Sequence, residues 1–107
     1  MTLVLDAGGI SAFAGDLERL VALRQRLDRP PLVPVVVLVE ALTGDHRRDH
    51  ATNRLLRLCE IRSVDQVLAR DAARLRTLTG RAGTISATDA IVAAFADRQH
   101  DPVIVTS

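Results

Sequence analysis

The chain has 107 residues, enough for one small domain with its own core and too few for two. Hydrophobic residues make up 48% and aromatics only 2%, which excludes a disordered chain and requires a core of Val, Leu, Ile and Ala. The formal charge of +1 gives no global positive field for nucleic acid, although all 14 basic residues are arginine, by genome-wide preference or as forks for phosphate oxygens.

Leu3-Val4-Leu5 is a short apolar run stopped by Asp6-Ala7-Gly8-Gly9, which reads as a buried strand opening into a turn. From Asp16 to Leu27, Leu17, Leu20, Val21, Leu23 and Leu27 recur at helical spacing, with Asp16 and Glu18 in the first turn. Arg29-Pro30-Pro31 breaks the chain. The Val-rich run that follows favours a very short strand at Leu32-Val33, then a helix that starts near Pro34, carries Glu40 and ends near Gly44. A longer strand is the alternative.

Asn53 to Glu60 continues as a second helix after the polar stretch Asp45 to His50, and Ile61 to Val64 reads as a strand. Asp65 to Thr79 reads as a helix ended by Gly80, with Val67, Leu68, Leu75 and Leu78 on its apolar face. Ser86-Ala87-Thr88-Asp89 has the form of a capping box, followed by Ile91, Val92 and Phe95 at helical spacing. Asp101-Pro102 turns the chain into a last strand, Val103 to Thr106. Strands alternating with helices imply an α/β domain over residues 1–107, a parallel sheet covered by helices on both faces, with function at the carboxyl ends of its strands.

Three acids stand out. Asp6 ends the first strand and serves equally well as a helix or turn cap. Glu40 lies inside an apolar run, where partial burial of a carboxylate is costly unless it is paired or metal-bound. Asp89 completes the capping box or acts as a ligand. Together they offer a hard cation oxygen ligands from separate elements, and a cation would neutralise their mutual repulsion.

Other chemistries drop out. Gly9-Ile10-Ser11-Ala12-Phe13 lacks the last glycine of a nucleophile elbow, and the absence of lysine excludes a Walker loop and Schiff-base chemistry. It also leaves a receiver-like phosphoryl acceptor without its lysine partner. His46 and His50 are four apart but are followed by no zinc-protease glutamate, so Asp45 to His50 reads as a solvated helix face. The single cysteine, Cys59, excludes an internal disulfide and reads as a small buried hydrophobe. With no leader and no membrane-length apolar run, a soluble cytoplasmic protein is expected.

The runs Val4-Leu5-Asp6-Ala7-Gly8-Gly9-Ile10, Val37-Leu38-Val39-Glu40-Ala41-Leu42 and Thr88-Asp89-Ala90-Ile91-Val92-Ala93-Ala94 resemble the motifs of the PIN-domain family, most of all its VapC toxins of bacterial toxin–antitoxin pairs. The resemblance spans essentially the whole chain. It implies a PIN-like three-layer sandwich with a parallel sheet of about four strands, the family's last strand and helix being absent. It implies an endoribonuclease using Mg²⁺ or Mn²⁺, cutting RNA such as tRNA or rRNA, usually as a homodimer inhibited by a VapB-type antitoxin. Asp6, Glu40 and Asp89 would be metal ligands, and Thr106 would orient a fourth acid or bound water. That fourth acid commonly follows the position of Ser107, where this chain stops. The competing expectation is an impaired PIN-like module that keeps only dimer and antitoxin surfaces. Arginines at 47, 48, 54 and 57, or at 70, 74, 76 and 81, are candidate phosphate contacts or plain helix decoration.

Overall fold

The structure is a computed structural model that describes residues 1–78 and 85–107. Four strands form one all-parallel sheet: β1 (Thr2–Leu5), β2 (Leu32–Pro34), β3 (Glu60–Arg62) and β4 (Pro102–Val105), in the order β3-β2-β1-β4. Helices α1 (Ala7–Ala14), α2 (Leu17–Arg24), α3 (Leu38–Ala41), α4 (His50–Leu56), α5 (Gln66–Leu78) and α6 (Ala87–Asp97) connect them. This is the expected α/β architecture.

β1 and β2 are central and buried along their whole length, because helices cover both faces. Leu5, Ile10, Leu20, Leu32, Val33, Val37 and Leu55 are almost completely buried, each burial worth about 1.5–3 kcal/mol. α1 packs against α2, α3 and α4, while α6 packs on β1, β2 and β4 and against α5. The outer strands β3 and β4 are largely exposed. Among the described residues no helix is long and apolar enough to cross a membrane.

Several sequence expectations need correction. Ala7 to Ala14 is a helix and not an open turn: Asp6 caps it by accepting from the Gly9 N–H at 2.8 Å. β2 extends to Pro34, which pairs in register with Arg62 and costs no ladder donor because the strand ends there. A 3-10 turn at Val35–Val37 follows, so the helix carrying Glu40 is a single turn and the longer strand is not formed. α4 begins at His50, not Asn53, and ends at Leu56, leaving Glu60 to open β3. β3 ends at Arg62, short of Val64, and β4 runs from Pro102 to Val105.

On α5 the buried pair is Leu68 and Ala72, four residues apart, whereas Val67 and Leu78 are exposed. Asp65 accepts from the Leu68 N–H at 2.8 Å and so starts this helix. Its expected end at Thr79-Gly80 lies outside the described residues. Ser86 caps α6 by accepting from the Asp89 N–H at 3.0 Å, which is half of the expected capping box; among the described residues the Asp89 carboxylate makes no return bond to the Ser86 N–H. Asp16 caps α2 in the same way through Arg19.

The start of α1 approaches the end of β4 closely. A Cβ on Gly9 would lie 2.1 Å from the carbonyl oxygen of Val105, and one on Gly8 would lie 2.7 Å from Ser107 Oγ. Gly15, by contrast, has only ordinary contacts and a φ of −80°, which alanine adopts freely. Gly9→Ala is therefore expected to lower the unfolding free energy by roughly 1–3 kcal/mol. Gly15→Ala should leave it unchanged or raise it by about 0.4–1 kcal/mol. Urea denaturation of both variants checks the contrast in sign.

Candidate functional site

Parallel topology brings the sequence-predicted acids to one edge of the sheet. Asp6 follows β1 directly, and Glu40 follows β2 after the 3-10 turn. α6 lies along the sheet and its C-terminus enters β4 through a short turn, so its N-terminus, with Asp89, lies at the carboxyl edge. Thr106 follows β4 at that same edge. The N-termini of α1 and α6 thus both face it, and with them the partial positive charge of each helix.

Asp6 is half-buried and held on three sides. Its Oδ1 accepts from Gly9, its carbonyl accepts from the Ile10 N–H at 2.9 Å, and its own N–H donates to Val105 at 3.4 Å. One carboxylate oxygen thus serves the helix cap, leaving the other free for a ligand. Leu5 pairs with Val105, so Thr106 and Ser107 lie beside the start of α1.

Glu40 is exposed, contrary to the partial burial expected of it. α3 is one turn long and buries none of its residues; even Val39 is 80% exposed, so an apolar run here does not mean a buried one. Glu40 nevertheless faces α1. It lines a cavity of about 210 Å³ with Ala7, Ser11 and Ala14 of α1 and Thr52 of α4. The hydroxyls of Ser11 and Thr52 carried no signal in the sequence; only the packing of α1, α3 and α4 reveals them.

Asp89 is exposed in the first turn of α6. The remaining acids divide by their partners. Glu60, Asp71 and Asp101 are in ion pairs, and Asp16, Asp45, Asp49 and Asp65 accept backbone N–H groups. Arg29, together with Arg62, holds the Glu60 carboxyl below the usual carboxylate range. Glu40 and Asp89 have no such partner among the described residues. Glu18, Asp28 and Asp97 are also without a partner among the described residues, but Glu18 stands exposed in the first turn of α2, and Asp28 and Asp97 precede strands and lie toward the opposite edge.

The donor set consists of hard carboxylate oxygens, which suits Mg²⁺ or Mn²⁺ and not a soft metal. Among the described residues, however, no three His, Cys, Asp or Glu side chains gather closely enough to hold a metal ion. The arrangement fits a cation held by one or two carboxylates, with water and substrate oxygens completing its shell, and does not form a protein cage.

Asp49 is the acid that the sequence concealed. Read as part of a solvated face, it is only 5% exposed. Its Oδ1 accepts from Thr43 N and Thr43 Oγ1 at 2.9 and 2.8 Å, and its Oδ2 accepts from Gly44 N at 2.8 Å. These bonds close the loop after α3, in which Gly44 adopts a φ of +86°, and so position the helix that carries Glu40. Cys59 is partly buried against the core, donates to the Leu55 carbonyl at 3.6 Å, and burial pushes its thiol up to about 11. It is no nucleophile at neutral pH.

With this geometry in view, the family is defined. The PIN domain model matches residues 3–107, and the chain belongs to the PIN-domain family. Members of that family are generally nucleases and commonly use divalent metals. No curated protein matches the chain.

The backbone hydrogen bonds from Thr43, opposed in part by desolvation, hold the Asp49 carboxyl below its ordinary value of 3.8. A carboxyl depressed in the folded state stabilises it above the unfolded pKa and loses that effect as pH falls through the folded pKa. Asp49→Asn should thus be less stable than wild type at neutral pH, with the gap closing as pH drops below 3.8. Denaturation midpoints of both proteins across that range check it.

Proposed function

We propose that this protein is a divalent-metal-dependent endoribonuclease and the toxin of a toxin–antitoxin pair. The observation that carries the proposal is family membership over residues 3–107 combined with Asp6, Glu40 and Asp89 on elements that end at one sheet edge. The resemblance of the three acidic motifs to VapC toxins supports the finer assignment.

In this reading Asp6, Glu40 and Asp89 would hold Mg²⁺ or Mn²⁺, the two exposed acids Glu40 and Asp89 turning in toward Asp6 once cation and substrate are present. Bound there, the cation would acidify a water and stabilise charge developing at phosphorus. The chain's own groups supply positioning. The Gly9 N–H holds Asp6 in one orientation, and Asp49 fixes the loop behind Glu40. Glu40 and Asp89 are solvent-facing and able to turn toward a bound substrate, and Thr106 orients water beside Asp6. The reaction is hydrolysis: water adds to phosphorus, one ester P–O bond breaks, and the leaving oxygen takes a proton.

The partners proposed are tRNA or rRNA as substrate, a VapB-type antitoxin covering the edge, and a second copy of the chain. Exposed Val35 and Val39, four residues apart on the 3-10 turn and α3, support burial against another subunit. A cytoplasmic location follows from the substrate.

A second reading is a binding module without catalysis, favoured by the absence of a three-ligand cluster among the described residues. The two separate on one assay. The nuclease should cut structured RNA with Mn²⁺ present, and Asp6→Asn or Asp89→Asn should reduce the rate at least about 100-fold without unfolding the protein. Intact RNA after incubation with wild type, and a melting temperature indifferent to Mn²⁺, would favour the binding module.

A further inference from the structure

On the side of α3 away from the Glu40 cavity, Leu38 and Leu42 close a separate cavity of about 340 Å³ between α3, the following loop, α4 and β3. Its floor is apolar, with Leu56 buried and Ile61 42% exposed. Its rim is polar: the imidazoles of His46 and His50, the carboxamide of Asn53 and the guanidinium of Arg57. None of these four side chains has a hydrogen-bond or ion-pair partner among the described residues. No acid lines the cavity. The two acids nearest in sequence, Asp45 and Asp49, are turned to backbone N–H groups of their own loop.

We infer that this cavity is a nucleotide subsite, taking one unpaired nucleotide of the RNA beside the cleavage site. The inference rests on the nuclease reading for its substrate class and deepens it. The volume is that of a small-molecule pocket. An apolar floor flanked by imidazole rings suits the flat face of a base, and an amide with both donor and acceptor suits its edge. Arg57 supplies the fork for a phosphate, and an acid-free lining leaves its charge unopposed. One short helix separates the cavity from Glu40, and a helix with its side chains is about 10–12 Å across. A single strand crossing α3 would place one nucleotide in the cavity and a neighbouring phosphate at the acidic edge. Thus His46 and His50, which the sequence suggested as a solvated face, become the rim of a recognition site.

The chain contains 3 histidines, which makes the test direct. The histidine ring signals are followed by NMR while each nucleoside 5′-monophosphate, and separately inorganic phosphate and Zn²⁺, is added to the full chain. At least one nucleotide should shift the His46 and His50 signals and leave His100 still, with phosphate alone far weaker, and Asn53→Ala should remove the response. Equal shifts with phosphate would make this an anion site, and a response to Zn²⁺ alone a histidine-pair metal site. Either result, or three unmoved signals, overturns the proposal. In cleavage assays Asn53→Ala should raise KM about tenfold with kcat little changed, while Arg19→Ala on α2 changes neither. If wild type cuts no RNA, the nuclease reading fails, and the titration still decides the cavity. If wild type cuts RNA and Asn53→Ala matches it, the cavity proposal fails alone.

Discussion

The start of α1 lies directly on the end of β4, and this close approach governs the rest of the site. It exists because residues 8 and 9 lack side chains: any Cβ at Gly9 would collide with the Val105 carbonyl, a backbone atom that cannot swing aside. The contact sets the helix against the sheet edge. Asp6, at the junction, then caps α1 with one oxygen and keeps the other available. From there α1 forms the wall against which α3 and α4 pack, bringing Glu40, Ser11 and Thr52 to one cavity. Chain connectivity does the remainder, since parallel strands place the helices that follow β1 and β2, and the one that precedes β4, with their N-termini on a common edge.

The same glycines explain why α1 was hidden in the sequence. Glycine costs about 1 kcal/mol in a helix relative to alanine, so Ala7-Gly8-Gly9 reads locally as a turn. Tertiary packing overrides that propensity, because only residues without a side chain at positions 8 and 9 fit against the end of β4 and the residues after it. The alternation of strand and helix, the cap at Ser86 and the short β2 are legible because hydrophobic spacing and capping are local signals, whereas Asp16, expected inside the first turn of α2, is its cap.

The acids show the limit of local reading more sharply. The apolar run predicts partial burial for Glu40, yet it is exposed; its significance comes from its place after β2 and its orientation toward α1. Asp49 lay within a charged hexapeptide that gave no hint of burial, and it is the acid most deeply committed to the fold. His46 and His50 read as a solvated face in the sequence, yet one from the loop after α3 and the other from the start of α4 line one cavity. In each case the deciding contact is with a segment that sequence periodicity does not relate to the residue. The resemblance to the PIN-domain family, by contrast, rests on the order of three individually weak motifs and needs no geometry.

In the proposed nuclease reading, Asp6, Glu40 and Asp89 would serve one cation at the carboxyl edge of the sheet. Crystals of the protein soaked in Mn²⁺ would locate that cation through its anomalous scattering. The expected result is a single strong peak about 2–2.5 Å from an Asp6 carboxylate oxygen, with Asp89 or Glu40 as a second ligand, lost in Asp6→Asn. A peak on His46 and His50 alone, or none at the edge, would contradict it.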